Sequence, residues 1–267
     1  MAKSMEQRNL CNDLSDCLII GKGVEKVNIQ RSWIVFIILF VCLVVGCTGG
    51  EGDMDRAEEK EIKEKAIQYI KDTYNKDFEV SEVSKDLFTG QTYSVEGNIK
   101  DDQNTSVLII IEPNGIRDSY VDELWTEELK PTITTLVKKY FDVRKIEHFV
   151  YSNGTEKDKY TGEIPSVFEV LKNGGDPDFV LTITLGVYEK NGQYEQGIQN
   201  FLKELKGLNF NETGVAVFVY DDKLKTAPEG TEESDYLLYR YNIPIDDIQN
   251  IDIDKHDLDQ YKTVIKH

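Results

Sequence analysis

An uncharged apolar run over residues 33–45 is the feature that most constrains this chain of 267 residues. Arg31 precedes the run and the small residue Gly46 follows it. A basic residue, a short apolar stretch and a small residue, in that order, are typical of a secretory signal peptide. A transmembrane helix needs roughly 20 apolar residues, more than this run contains. A buried core helix is a poor alternative, because the polar stretch CTGGEGD follows directly.

The end of the run, LVVGC at residues 43–47, resembles the lipobox of bacterial lipoproteins. The resemblance implies that the chain is cut between Gly46 and Cys47 and that the sulfur of Cys47 is diacylated. Two acyl chains are enough for stable anchoring. We therefore expect a lipoprotein held at the extracytoplasmic face of the cell membrane by the lipid on Cys47.

Residues 1–30 precede this signal and carry charges of both signs, whereas an ordinary n-region is short. One hypothesis places the true start near Val27, read from a GTG codon, because the codons of residues 22–24 (Lys-Gly-Val) could spell a ribosome-binding sequence. In the alternative, residues 1–30 are a cytoplasmic tail until cleavage. The resulting division is an extension over 1–30, a signal peptide over 31–46 and a tether over 47–56.

The net charge of the chain is −18, and because residues 1–46 carry a net +1, the part after the cleavage point carries −19. Binding to nucleic acid is not expected, because phosphate contacts need clustered Lys and Arg. An acidic surface also repels anionic lipid headgroups, so membrane residence would depend on the lipid. All four cysteines, at positions 11, 17, 42 and 47, lie at or before the cleavage point, so we expect no disulfide in the mature domain.

Hydrophobic periodicity predicts the elements of the mature chain. Apolar residues at helical spacing predict helices over Ala57–Asn75, from residue 120 to 141 with a kink or restart at Pro131, after Ser166, and around residues 198–205 with Gly207 as a left-handed cap. Period-two patterns and apolar runs predict strands. They cover 77–83, 91–99, 107–111, 143–151, 179–188, 215–220 and 236–243, of which 107–111 and 215–220 are apolar on both faces. A last short helix is expected through Leu258, Tyr261 and Ile265.

This order of elements indicates an α+β fold with antiparallel or mixed sheets and helices packed on one face. The polar stretch 152–162 is the best internal boundary, which suggests two similar small subdomains over 57–151 and 163–267. The segments YIKDTYNKDFEV and DSYVDELW resemble uncharacterised lipoproteins of low-GC Gram-positive bacteria over roughly residues 66–141. That resemblance implies a location and no activity.

No metal or catalytic motif emerges from the candidate residues, so no cofactor is expected. The acidic group Asp252, Asp254, Asp257 and Asp259 lacks the glycine and the distant glutamate of a calcium loop and fits a solvated turn. The histidines, at positions 148, 256 and 267, form no zinc motif. Ser152, Ser166 and Ser234 lie outside any GxSxG or SxxK pattern, and no phosphate-binding loop is present.

Aromatic residues are the remaining candidates. Trp125 lies within an apolar helical stripe and fits a core position. Tyr236, Tyr239 and Tyr241, with Tyr220, could form an exposed aromatic sheet face, although ordinary strand-forming tyrosines are the favoured interpretation. The leading hypothesis is a membrane-anchored binding module that contacts an envelope protein or a small ligand. The alternatives are an envelope hydrolase with an unrecognised carboxylate site and a ligand-binding lipoprotein of a transporter.

Overall fold

The computed structural model describes residues 54–86, 90–154 and 159–265, which belong to one compact unit, Glu51–His267. The apolar run, Gly46 and Cys47 lie outside the described residues. The described part is an α+β fold with a four-stranded and a five-stranded sheet, as expected from the sequence. Its helices are α1 (Arg56–Tyr74), α2 (Tyr120–Tyr140), α3 (Val167–Lys172) and α4 (Gln193–Gly207).

The first sheet is antiparallel throughout and follows the chain order β1-β2-β3-β4. Its strands are β1 (Phe78–Lys85), β2 (Tyr93–Ile99), β3 (Ser106–Glu112) and β4 (Gly115–Asp118). Helix α1 packs on β1 and β2 with the four-residue stripe Ile62, Ala66, Ile70 and Tyr74, all of which are buried. Asp55 begins this helix by accepting two backbone N–H bonds at 2.8 Å, which satisfies donors that a helix start leaves free.

The second sheet is mixed and has the order β5-β6-β7-β8-β9. Its strands are β5 (Val143–Ser152), β6 (Val180–Tyr188), β7 (Glu212–Tyr220), β8 (Leu237–Ile245) and β9 (Lys262–Val264). Strands β6 and β7 are parallel and are joined through α4, whereas the other pairs are antiparallel. The predicted face of β6, Leu181, Ile183, Leu185 and Val187, is fully buried.

Helix α2 packs against both sheets, since it contacts β3 and β5. Tyr120, at its start, packs edge-on against Tyr74 of α1. Trp125 contacts the rings of Tyr151 in β5 and of Phe179, the residue directly before β6. Buried residues of both sheets therefore form one core cluster with α2. Pro131 lies on the exposed side of α2, where a lost backbone N–H is tolerated, and the helix continues through it without a restart.

The apolar run of β3 predicts a central strand, and β3 does lie between β2 and β4, although Leu108 on its outer face is 40% exposed. Other predictions from the sequence are wrong. The loop at 152–162 joins neighbouring strands of one sheet, so it does not separate two subdomains, and the two sheets differ in topology. The expected last helix is a short 3-10 turn, Asp259–Tyr261, followed by strand β9. Strand β4 was not predicted.

Gly207 is not the left-handed residue that ends α4. Asn209 has the positive φ, 66°, and Gly207 remains within the helix. Helix α4 ends through Leu208, whose N–H donates to the carbonyls of Glu204 and Leu205. Asparagine tolerates the left-handed region, which explains how the turn forms two residues later than the glycine suggests.

The turn after α3 depends on Gly175, which has a φ of +75°. A Cβ atom there would lie 2.5 Å from the carbonyl oxygen of Asn209 and 2.4 Å from the side-chain nitrogen of Asn211. Both the backbone conformation and the close approach of the α4–β7 connection therefore require glycine. This contact fixes α3 against the beginning of β7.

We predict that Gly175→Ala lowers the free energy of unfolding by about 2–4 kcal/mol, the sum of left-handed strain and overpacking. Urea denaturation with a fluorescence readout measures this change. Gly174→Ala is the matched control, because Gly174 also has a positive φ but no atom lies within 4 Å of its added Cβ. Equal losses for the two variants would contradict a role for the contact with Asn209 and Asn211.

Candidate interaction site: a tyrosine cage around Lys262

Four side chains from two elements surround the ammonium group of Lys262, which comes from a third element. We call the five residues the tyrosine cage: Tyr194, Glu195, Tyr239, Tyr241 and Lys262. The first two residues lie at the start of α4. Tyr239 and Tyr241 alternate along β8 and point to the buried face of the sheet, beneath α4. Lys262 begins β9 and pairs with Tyr241 across the two strands.

The ammonium of Lys262 contacts rings and a carboxylate together. Its Nζ atom lies 4.5 Å from the ring centroid of Tyr239, 5.6 Å from that of Tyr241 and 5.8 Å from that of Tyr194. The same atom donates to Oε1 of Glu195 at 2.7 Å. Cation–π attraction requires a cation within about 6 Å of the ring centroid, so all three rings qualify. The site is therefore already built to hold a cation.

Hydrogen bonds within the tyrosine cage also fix the position of the Glu195 carboxylate. The hydroxyl of Tyr241 donates to Oε1 of Glu195 at 3.1 Å. The hydrogen bond from Lys262, more than any other cause, lowers the pKa of Glu195 below its usual range. Burial opposes the charge of Lys262, but Glu195 and the tyrosines outweigh it and raise the pKa of the ammonium. Both partners therefore remain charged at neutral pH.

The tyrosines do not form an exposed aromatic face, in agreement with the favoured interpretation as ordinary strand residues. Tyr241 is 0% exposed, Tyr220 is also buried, and Tyr239 turns toward α4. The i, i+2 spacing of Tyr239 and Tyr241 does reveal that they share a face. No local sequence pattern predicts that these tyrosines lie near Glu195 or Lys262. That proximity depends on the β6–α4–β7 connection and on the pairing of β9 with β8.

Trp125 is a core residue, as expected. It is 0% exposed, and its indole N–H donates to the carbonyl oxygen of Pro165 at 2.9 Å. A buried indole needs such a partner, because an unpaired N–H in an apolar interior costs stability. The bond also ties the segment before α3 to α2.

The histidines and the acidic segment do not assemble a metal site. Among the described residues, no three His, Cys, Asp or Glu side chains are grouped to hold a metal ion. His148 is exposed on β5, His256 stacks on Tyr261 with ring centroids 5.4 Å apart, and His267 lies outside the described residues. His148 and His256 therefore belong to no cluster of metal-ligating side chains within the part of the chain that the structure describes.

The carboxylates between positions 252 and 259 support turns and pair with lysines, in agreement with the interpretation as a solvated turn. Asp252 and Asp257 accept backbone N–H bonds within the segment, and Asp254 pairs with Lys203 of α4. An open cleft of about 510 Å³ lies between α4 and this segment, lined by Lys203, Lys206 and residues 250–254. Lys206 donates to the carbonyl oxygen of Ile251.

Asp176 is the one buried carboxylate among the described residues, and its oxygens accept hydrogen bonds from three groups. It is 2% exposed and accepts from Lys159 at 2.7 Å, from the Tyr160 hydroxyl at 2.6 Å and from the N–H of Asp178 at 3.1 Å. No second buried carboxylate joins it in the described part of the chain. The pair that would favour a hydrolase is therefore not formed there.

The three candidate serines lie at a helix cap, at a strand end and in a turn. Ser166 caps α3 by accepting from the N–H of Phe168, and its hydroxyl donates to Glu128 of α2. Ser152 ends β5, and Ser234 lies in the 3-10 turn Glu233–Tyr236. Glu128 accepts from the N–H of Val167 as well, so this contact is a helix cap shared between α2 and α3.

Comparison with known proteins gives no family for this chain. No protein-family model matches it, and no curated protein matches it. A solved structure of a DUF5037 family protein from Ruminococcus gnavus ATCC 29149 is similar over 61% of this chain and 76% of that chain, with 15% identity and a TM-score of 0.35. A similarity at that level carries no argument about activity or partners.

We predict that Asp176→Asn lowers the free energy of unfolding at pH 7 by about 1–3 kcal/mol, because a buried charged hydrogen-bond acceptor is lost. Burial disfavours the charge, yet Lys159 and Tyr160 hold the pKa of this carboxyl below its usual value. A lowered native pKa stabilises the fold above the unfolded pKa of about 3.9, and the gain is lost as pH falls through the native value.

Urea titrations between pH 7 and pH 3 check this prediction. The stability of the wild type should fall with pH more steeply than that of Asp176→Asn at the acidic end. Parallel curves would show that Asp176 titrates with the same pKa in the folded and unfolded chains.

We also predict that Glu195→Gln speeds hydrogen exchange at the amides of β9, because the variant loses the charged partner of Lys262. Exchange measured by mass spectrometry should change over residues 262–264 and little elsewhere. Glu204→Gln is the matched control on the same helix, since Glu204 pairs with Lys139 and Tyr140 instead. The pKa of Glu195 is lowered, so the protection of β9 in the wild type should decrease as pH falls through that pKa.

Proposed function

We propose that this protein is a lipoprotein of the extracytoplasmic face of the cell membrane, anchored by a diacyl group on Cys47, and that its α+β domain acts as an interaction module. The observation that carries the proposal is the sequence LVVGC at the end of the uncharged run. The lipid would provide the membrane affinity that an acidic chain of net charge −18 lacks.

The start of the folded domain supports this arrangement. Asp55 caps α1, so only eight residues separate Cys47 from the first helix. A fully extended segment of that length spans at most about 30 Å. The domain would therefore be held next to the bilayer, in reach of other envelope proteins.

The fold also supports an interaction module. Both sheets carry their helices on one side, and the other side of the first sheet exposes residues such as Glu96 and Leu108. The tyrosine cage and the edge strand β9 add a site built around a cation. Within the described residues, no helix has the length and apolar character needed to cross a bilayer.

Metabolic labelling with a clickable fatty acid tests the anchor. We expect wild-type protein to be labelled and to fractionate with membranes, and Cys47→Ala to be unlabelled, because the acylated sulfur is gone. Cys42→Ala is the matched control, since it removes a thiol from the same region without touching LVVGC.

Loss of label in both variants or in neither would contradict lipidation at Cys47. Intact-mass analysis of the membrane fraction gives a second readout, because the proposal fixes Cys47 as the first residue of the mature chain. A mature chain that retains the residues 31–46 would identify the apolar run as a signal anchor instead.

A further inference from the structure

We propose that β8 and the tyrosine cage form a binding site for an extended, lysine-bearing segment of a partner protein, which replaces β9 at the edge of the second sheet. The partner's lysine would take the position of Lys262 between Glu195 and the three tyrosine rings. Strand β9 is then an internal occupant that holds the site closed until the partner segment displaces it.

Strand β9 is the element of the second sheet that is easiest to displace. It is three residues long and pairs with β8 through Lys262, Thr263 and Val264, with one further backbone bond from the N–H of Ile265 to the carbonyl oxygen of Leu238. Val264 is 46% exposed, so its removal uncovers little apolar surface. Short edge elements with few buried contacts open locally at a small cost in free energy.

The strongest attachment of β9 is the ammonium of Lys262. Its side chain is 20% exposed, whereas that of Glu195 is 49% exposed, so the carboxylate faces an approaching segment. A segment with lysine at this position can replace each contact of Lys262: the three rings and the carboxylate oxygen. Neutral or acidic side chains cannot replace them, and this requirement gives the site its specificity.

The backbone of β8 supplies the second part of the recognition. Once β9 leaves, the ladder groups of residues 239–241 that faced it are free to pair again. Addition of an extended peptide to a sheet edge uses such groups for affinity and side-chain pockets for specificity. A net charge of −18 on the whole chain also favours the approach of a basic segment.

This inference assigns a partner class to the interaction module proposed above and rests on that proposal for the role of the domain. It does not depend on lipidation, because the site lies within residues 194–264. Peptide binding to the detergent-solubilised full chain would therefore succeed or fail independently of labelling at Cys47.

A fluorescent peptide with the sequence of residues 259–267, DQYKTVIKH, is a suitable probe of the open site. Its affinity for the full-length protein is measured by fluorescence anisotropy. We expect Lys262→Gln in the protein to strengthen peptide binding about tenfold, because it weakens the internal competitor and raises the fraction of open site. Lys262→Gln combined with Tyr239→Leu should bind the peptide at least tenfold more weakly than Lys262→Gln alone.

Two controls separate the site from general effects on folding or charge. Lys262→Gln combined with Arg240→Gln should keep full affinity, because Arg240 neighbours Tyr239 but lies on the opposite face of β8, over Phe218. A peptide in which the lysine at position 262 is replaced by glutamine, with the last lysine kept, should lose affinity for Lys262→Gln protein.

Three results would overturn the proposal. The first is equal peptide affinity of wild type and Lys262→Gln, which would place binding outside the tyrosine cage. The second is binding that survives Tyr239→Leu or the peptide substitution. The third is concentration-dependent dimerisation of the wild type without peptide, abolished by Lys262→Gln, which would identify a second copy of this chain as the occupant.

Discussion

The packing of helix α2 between two sheets is the constraint on which the rest of the structure depends. On this one helix, Trp125 contacts Tyr151 of the second sheet, and Tyr120 packs against Tyr74 of α1, the helix that packs on the first sheet. Burial of each large apolar side chain contributes about 1.5–3 kcal/mol, so neither sheet retains its full core without α2. A single cluster of buried residues spans both sheets, which makes cooperative unfolding of the described domain the natural expectation.

The tyrosine cage shows how a charge can be held at the edge of a core. A lysine ammonium is strongly hydrated, and removing it from water is costly unless new partners compensate. Here the compensation is divided between Glu195 and the faces of three tyrosine rings. Because the rings are themselves buried or half-buried, their positions are set by packing before the cation arrives. The packing of the fold, and not the flexible lysine side chain, therefore sets the geometry of the site.

Local sequence patterns predicted most elements, and their limits have physical reasons. The four-residue stripe of α1 and the alternation in β6 depend on neighbours in the chain, so both were predictable. Mixed sheets were among the predicted alternatives, but the pair of strands that runs parallel was not predictable, because an apolar strand such as β7 does not encode the direction of its partners. The loop at 152–162 looked like a boundary since polarity marks any surface connection. The candidate cage required contacts between residues about 70 positions apart.

The parallel pair β6–β7 has a consequence for the order of folding. Its strands can join only after the chain has passed through α4, whereas the hairpins of the first sheet join strands that are close in sequence. Closing the long loop between two distant strands costs conformational entropy before their contacts form, so non-local pairing is slow. Strand β9 pairs with β8 alone and follows it in the chain, so β8 is synthesised before its edge partner. During biosynthesis the edge of β8 would thus stand open for a time, and that interval is when a partner strand could enter without competition.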